Sequence, residues 1–195
     1  MLRLLVLIPV FFISACGSQK PVPVDHYYRL PDIPLSISGE TRLSDGIVYV
    51  ALLETDGLHR ERALVYGTNR DGLELKQFHY QHWVDSPARL IRDHLVQYLR
   101  AINAAPTVVT SVDPYPELRI SGRIRRFDRI MDDSTDEVVV ALELRADREG
   151  KLLHIGDYQV TEAITGATPT DTVTAFDKAL LRCFTEFTKD VHEAL

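Results

Sequence analysis

The sequence lacks the residue patterns that most often support catalysis. Its 10 glycines occur singly, so it has neither a GxGxxG nor a GxxxxGK[ST] phosphate-binding loop, and it has no G-x-S-x-G nucleophile elbow. Only 2 of its 195 residues are cysteine, too few for a cysteine-based metal site. We therefore predict that the protein is not an enzyme.

Basic residues are also scarce relative to acidic ones. The chain has 22 Lys and Arg against 28 Asp and Glu, a formal net charge of −6. Nucleic acids and anionic lipid headgroups both demand clustered positive charge. The composition therefore argues against nucleic-acid binding and against electrostatic docking on a membrane. A hydrophobic content of 45% is ordinary for one soluble globular domain.

The one long apolar run lies at the N-terminus. Arg3 precedes the run Leu4–Ile13, and small residues ending at Ala15 lead into Cys16. A positive residue, a short apolar stretch and small residues are the layout of a secretory signal, and the run falls short of the roughly 20 residues that a membrane span needs. We predict a signal peptide over residues 1–15, cleaved between Ala15 and Cys16.

The predicted cleavage site resembles a bacterial lipobox. In that motif the cysteine at the end of a segment such as Ile13–Cys16 receives a diacylglycerol and becomes the new N-terminus, and more than one acyl chain anchors a protein stably. The alternative is an ordinary signal with a chance cysteine. The polar residues 16–25 are predicted to form a lipidated N-terminus and flexible linker, and residues 26–195 a single domain. By resemblance to sorting signals, Gly17 favours the outer membrane.

Hydrophobic periodicity predicts an α+β fold: a mostly antiparallel sheet with two main helices packed on it. Ser86 and Pro87 open the first helix, which should end near Asn103. The polar residues 165–174 are predicted to be a loop before the last helix, whose apolar stripe includes Cys183 as a small core residue. The predicted strands are 26–30, 47–53, 63–66, 73–83, 107–112, 118–130, 138–146 and 152–162.

Within the strand predicted at 118–130, the alternation of apolar residues breaks. Ile120 and Ile124 share one phase, whereas Phe127 follows after an odd interval. Such a slip is typical of a β-bulge or a bend. The earlier strands 47–53, 63–66 and 73–83 are predicted to form a meander of antiparallel strands. After the slip, 138–146 alternates cleanly and 152–162 runs back as its partner after the turn signal 148–151, so we predict a second antiparallel unit there.

Three polar clusters have simpler explanations than ligand binding. His79 and His82 are three residues apart, so on a strand they point to opposite faces and cannot share a metal. The acidic run 132–137 lacks the glycine and spacing of a calcium loop. The arginines within 123–129 are expected to pair with the abundant carboxylates. We predict no catalytic residue and no metal site.

Taken in order along the chain, these segments resemble the family of ABC-type transport auxiliary lipoproteins, the PqiC-like lipoproteins. A Tyr-Tyr-Arg-Leu strand behind a lipobox and a Trp-x-x-x-Pro entry into a helix are its more specific features. The matching segments are Cys16 with its linker, Tyr27–Leu30, Ile47–Val50, Leu64–Tyr66, Phe78–Pro87 running into a helix to Leu99, and Ala175–Leu180.

The resemblance implies a non-catalytic subunit that is anchored by lipid to the outer membrane and faces the periplasm. Its partners would be an MCE-domain protein, which carries lipids between the two membranes, and ABC transporter components. A symmetric homo-oligomer would suit a tubular partner. Tyr27, Tyr28, Tyr80 and Trp83 are candidate docking or core aromatics, and the covalent lipid on Cys16 is the one non-protein group expected. The alternatives are a generic envelope-assembly lipoprotein and a periplasmic carrier of small lipids.

Overall fold

A computed structural model gives the fold of the protein. The predicted signal peptide, its predicted cleavage site at Ala15 and the predicted lipidation site Cys16 lie outside the residues that it describes, which are 22–34, 41–69, 71–111, 115–132 and 135–195. Within those residues a 9-stranded sheet combines with two α-helices. The elements are β1 (His26–Tyr28), β2 (Ile47–Val50), β3 (Glu54–Thr55), a 3₁₀ helix (Gly57–Arg60), β4 (Ala63–Gly67), β5 (Leu75–Trp83), α1 (Pro87–Ala101), β6 (Thr107–Val109), β7 (Leu118–Met131), β8 (Asp136–Arg148), β9 (Lys151–Ala163) and α2 (Pro169–Glu193).

Strand β7 organises the sheet because it pairs along both of its edges. Along one edge β8 runs antiparallel to it, from Leu118 opposite Arg148 to Met131 opposite Asp136, and β9 lies beyond β8. Along the other edge β2, β3 and β4 follow one another, each parallel to β7. Beyond β2 lies β6, and beyond β4 lie β5 and then β1. The sheet therefore forks along this second edge of β7.

The α+β class is confirmed, but the prediction of a mostly antiparallel sheet is wrong. The sheet is mixed: β4–β5, β7–β8 and β8–β9 are antiparallel, whereas β1–β5, β2–β6 and the three partners on the second edge of β7 pair in parallel. The early strands do not form a meander with one another. Instead each of β2, β3 and β4 finds a distant partner, and α1 carries the chain from β5 to β6 on the other side of the fork.

The antiparallel unit of β7, β8 and β9 is confirmed. The register of β7 shifts between Ile124 and Arg126, which is the bulge that the broken alternation predicts. The β8–β9 connection turns through Glu149 and Gly150, both with positive φ, 50° and 78°. Positive φ at both central residues is the geometry that matches the twist of a hairpin.

The two helices begin at residues suited to the first turn. Pro87 is the first residue of α1, after Ser86, as predicted. Helix α2 begins at Pro169, inside the segment predicted to be a loop. There Thr168 and Asp171 form a capping box, in which each side chain bonds to the other residue's backbone N–H. This reciprocal cap satisfies amides that otherwise lack partners, so the helix starts earlier than its apolar stripe.

The core fills the space between the helices and one face of the sheet. Trp83 is 1% exposed, and its ring lies 5.2 Å from that of Phe127 and 5.5 Å from that of Phe176. These three rings join β5, β7 and α2. Cys183 is buried on the apolar stripe of α2, as predicted, and burial raises the pKa of its thiol to about 12. None of the helices among the described residues is long and apolar enough to cross a membrane.

Candidate functional site

An open groove of about 1220 Å³ lies on the face of the sheet that is turned away from the helices. Strand alternation creates it: Ile120 and Leu144 point into the core and are fully buried, whereas their neighbours Arg119 and Arg145 line the groove. The floor comes from the outer faces of β2, β7 and β8, which pair side by side only because β7 accepts partners on both edges. The groove is therefore a product of the fork in the sheet.

Arginine and carboxylate side chains in and around the groove are paired with one another. Arg123 Nη2 lies 2.8 Å from Glu54 Oε2, and Arg145 Nε donates to Asp147 Oδ2 at 2.8 Å. Arg125 pairs with Glu143 across the β7–β8 ladder. Exposed pairs of this kind contribute little to stability. The pairs of Arg123 and Arg125 confirm the ion pairing predicted for the arginines within 123–129.

One end of the groove is fixed by Glu117. Its carboxylate accepts hydrogen bonds from Ser44 Oγ and the Gly46 amide, both at 2.8 Å, and from Arg148 Nη2 at 2.7 Å. The hydrogen bond from Ser44, followed by those from Gly46 and Arg148, outweighs partial desolvation and lowers the pKa of Glu117. This carboxylate therefore stays ionised and ties the segment before β2 to the start of β7.

Arg119 differs from the other arginines of the groove. Its guanidinium lies 5.7 Å from the ring centroid of Tyr49, a cation–π distance. Among the described residues it forms no ion pair within 4.0 Å, in contrast to Arg123 and Arg145. Arg119 therefore offers a positive group that an incoming partner can engage without first breaking an internal ion pair.

Exposed apolar side chains border this charged floor. Leu52, Tyr115 and Ile155 line the groove and are 53%, 88% and 49% exposed. Tyrosine and arginine are enriched where proteins meet other proteins. The groove thus combines a polar floor of paired charges with separate apolar projections.

The four aromatic residues predicted from the sequence lie together on β1 and β5, away from this groove. The parallel register places Tyr27 opposite His82 and Tyr28 opposite Trp83. Tyr28 is half-buried against the core and Trp83 lies within it, whereas Tyr27 and Tyr80 are about half exposed. The described residues contain no group of three or more His, Cys, Asp or Glu that could hold a metal ion.

The groove itself is missed by sequence reasoning. Its lining comes from residues near 50, 120, 145 and 155, and the sequence gives no reason to bring the segment near 50 beside the other three. The available signal is the alternation of charged residues on one side of β7 and β8, such as Arg119 with Arg123 and Glu143 with Arg145. That pattern indicates a wet face, but it does not indicate which strands complete it.

Comparison with known proteins gives a family match. The family model of the ABC-type transport auxiliary lipoprotein component matches residues 56–186. That range begins next to the 3₁₀ helix and ends within α2, so it includes β4 to β9 and α1. No curated protein sequence is detectably similar to this chain.

Solved structures share the fold at low sequence identity. A crystal structure of an uncharacterized protein aligns with a TM-score of 0.69 at 12% identity, covering 86% of this chain and 99% of that one. A DUF330 protein from Xanthomonas campestris gives 0.67 at 13% identity, over 85% and 91% of the two chains. A hypothetical protein from Chlamydia trachomatis gives 0.52 at 10% identity, over 76% and 96%. At these identities the likeness is one of fold alone.

Proposed function

This chain belongs to the family of ABC-type transport auxiliary lipoprotein components, and from that premise we propose that it is a non-catalytic subunit that docks a periplasmic transport protein to the outer membrane. The family match over residues 56–186 carries the proposal. In it, the acyl chains on Cys16 hold the protein in the membrane, and the domain faces the periplasm. The transport protein is an MCE-domain protein that works with ABC transporter components in moving lipids between the membranes.

The groove is the docking surface in this proposal. Leu52, Tyr115 and Ile155 supply apolar contacts, and Arg119 supplies a cation without an ion pair among the described residues. Interfaces commonly gain most of their binding energy from a few such aromatic, apolar and arginine side chains. The open, charged floor also fits a protein partner better than a small lipid, because a lipid carrier needs an enclosed apolar cavity for acyl chains.

Co-purification from detergent-solubilised envelopes tests the proposal. The full-length protein carries an affinity tag after Leu195, which is exposed, and co-purifying proteins are identified by mass spectrometry. We expect an MCE-domain protein with the wild type and less of it with Cys16→Ala. Recovery of a different envelope machine, or of the domain alone with bound lipid, would instead favour one of the two alternative functions.

A matched pair of surface variants tests the groove. Ile155→Arg places a bulky charge at the groove border, where Ile155 is 49% exposed. Leu73→Arg makes the same kind of change at an 87% exposed leucine that does not line the groove. We expect Ile155→Arg to reduce recovery of the MCE-domain protein and Leu73→Arg to leave it unchanged. Equal recovery with both variants would place docking elsewhere on the surface.

A further inference from the structure

A second surface, where the described chain begins, carries apolar side chains that the core does not use. Val22 and Val24 are 83% and 68% exposed, and Tyr27 and Tyr80 are 52% and 47% exposed. We call these four residues the anchor patch. Tyr27 and Tyr80 lie on the neighbouring strands β1 and β5, with Tyr80 two residues from His82, the register partner of Tyr27, and Val22 and Val24 precede β1 in the chain.

Contacts within the described residues hold the aromatic part of the anchor patch in place. The ring of Tyr27 packs against the ring of His82, with 5.5 Å between the two centroids. The carboxylate of Asp25 lies 3.5 Å from Nε2 of His82. The guanidinium of Arg62 lies 5.7 Å from the Tyr27 centroid, and Arg62 forms no ion pair within 4.0 Å among the residues described. The patch thus combines fixed aromatic surface with a cation that can meet an anionic group.

The length of chain before the patch limits where it can lie. Cys16 is six residues before Val22, and even a fully extended chain spans at most about 3.6 Å per residue, so the two are within roughly 22 Å of each other. Tyr27 lies at most about 40 Å from Cys16 by the same limit. A lipid on Cys16 therefore limits how far the start of the described chain, and the anchor patch with it, can lie from the membrane.

We propose that the anchor patch rests on the phospholipid surface into which the acyl chains of Cys16 insert. Tyr27 and Tyr80 lie at the level of the headgroups, and Arg62 faces the lipid phosphates. This inference rests on the lipid anchor of the proposed function. Tyrosine suits the position because its ring is apolar and its hydroxyl is polar, which is why it is enriched at membrane interfaces.

Aromatic contact, rather than net charge, explains how such a domain can lie against a membrane. The chain carries a net charge of −6, so an anionic lipid surface repels it as a whole. Insertion of a few aromatic and aliphatic side chains at the headgroup boundary needs no basic cluster. The contact should therefore vary little with the fraction of anionic lipid.

This contact leaves the groove accessible to a protein partner. The tyrosines of the anchor patch lie on β1 and β5, and the groove lies on β2, β7 and β8. The order β1-β5-β4-β7 separates β1 from β7 by three strand spacings, roughly 14 Å at about 4.8 Å each. One surface can thus lie on lipid while the other binds protein.

Depth-sensitive fluorescence quenching tests the inference on the lipidated full-length protein. The protein is reconstituted into vesicles of phosphatidylethanolamine and phosphatidylglycerol that contain phosphatidylcholine brominated near the top of its acyl chains. Tyr27→Trp and Tyr80→Trp each place an indole in the anchor patch, and Tyr115→Trp places one in the groove. All three retain Trp83, whose buried emission is common to them.

We expect the introduced indoles of Tyr27→Trp and Tyr80→Trp to emit at a shorter wavelength and to lose emission to the brominated lipid. We expect neither change for the indole of Tyr115→Trp. If the protein associates with vesicles but the patch variants are quenched no more than Tyr115→Trp, the lipid anchor stands and the patch contact is wrong. If the protein does not associate with vesicles, both the anchor and the patch contact are wrong. Unchanged thermal unfolding of each variant shows that its fold is intact.

Discussion

Single residues decide how closely the strands beneath the groove approach one another. Gly122 of β7 lies opposite Leu144 of β8. A Cβ atom on Gly122 would sit 2.2 Å from the carbonyl oxygen of Glu143, and backbone atoms cannot yield as the end of a flexible side chain can. A glycine is required here by the approach of the neighbouring strand, since β7 and β8 form the floor of the groove.

We therefore expect Gly122→Ala to destabilise the domain by about 2 kcal/mol, the scale of overpacking in a well-packed site. Urea unfolding followed by circular dichroism measures the change. Ser121→Ala is the matched control, because Ser121 is the preceding residue on the open face and its hydroxyl makes no hydrogen bond with the described residues. Equal stability of the two variants would show that β7 and β8 can separate without cost.

Asp128 is a charged side chain that the fold buries completely. Burial by itself raises the pKa of Asp128, but His59 and the guanidinium of Arg126 outweigh it, so the pKa lies below its ordinary value of 3.8. Arg126 donates from Nε and Nη2 at 3.2 and 2.6 Å. Nε2 of His59 lies 3.6 Å from the carboxylate and 3.2 Å from the amide nitrogen of Phe127. Asp128 therefore holds the 3₁₀ helix and β7 together as an anion.

A carboxylate whose pKa is lowered by folding stabilises the protein above its unfolded pKa, and this contribution is lost as the pH falls through the folded value. We expect Asp128→Asn to cost about 3 kcal/mol near neutral pH, because it leaves Arg126 without its buried anion. The cost should shrink as the pH drops from about 5 to about 3. Urea unfolding across this range measures it, and Asp45→Asn, at a 93% exposed carboxylate, should show no such trend.

At the scale of elements, the start of α2 depends on its cap. Thr168 Oγ1 accepts from the Asp171 amide at 3.3 Å, and the Asp171 carboxylate accepts from the Thr168 amide at 2.8 Å. The hydrogen bonds from the Thr168 side chain and backbone lower the pKa of Asp171.

We expect Thr168→Ala to destabilise the domain by about 1 kcal/mol. Thermal unfolding compares it with Thr170→Ala at the exposed second position of the helix, which should have little effect.

Most individual elements of this fold can be predicted from the sequence, since their signals are local. The apolar stripes of α1 and α2, the alternation of β8 and the broken phase at Ile124 each report on neighbouring residues. The start of α2 was missed although its signal is also local, because the Thr168 to Asp171 spacing sits in a segment rich in loop-forming residues. A capping box before a proline-led helix is the pattern that identifies it.

At the scale of the whole molecule, strand pairing could not be predicted. Nothing near Val48 indicates that it lies opposite Leu118, or that Val65 lies opposite Asp128. Alternation predicts that a segment is a strand, but partner and direction depend on contacts across the whole chain. The groove depends on those same contacts, so it was missed together with the parallel pairing. The resemblance to the transport auxiliary lipoproteins, by contrast, is confirmed, because it rests on short segments in sequence order.

The domain should unfold as one unit, because β7 belongs to both arms of the forked sheet. Trp83 touches Phe127 of β7 and Phe176 of α2, so its fluorescence reports on packing between distant parts of the chain. We expect the same urea midpoint from Trp83 fluorescence and from far-ultraviolet circular dichroism. Two separate midpoints would mean that the arms of the sheet unfold independently.

The forked pairing of β7 also sets the order in which the chain can fold. β2, β3 and β4 are made first, but the strand that completes their hydrogen bonds, β7, comes only after β5, α1 and β6. Long-range pairing of this kind is slow, because a large loop must close before any contact forms. In a chain made N-terminus first, β2, β3 and β4 therefore cannot complete their hydrogen bonds until β7 in the second half of the chain is available.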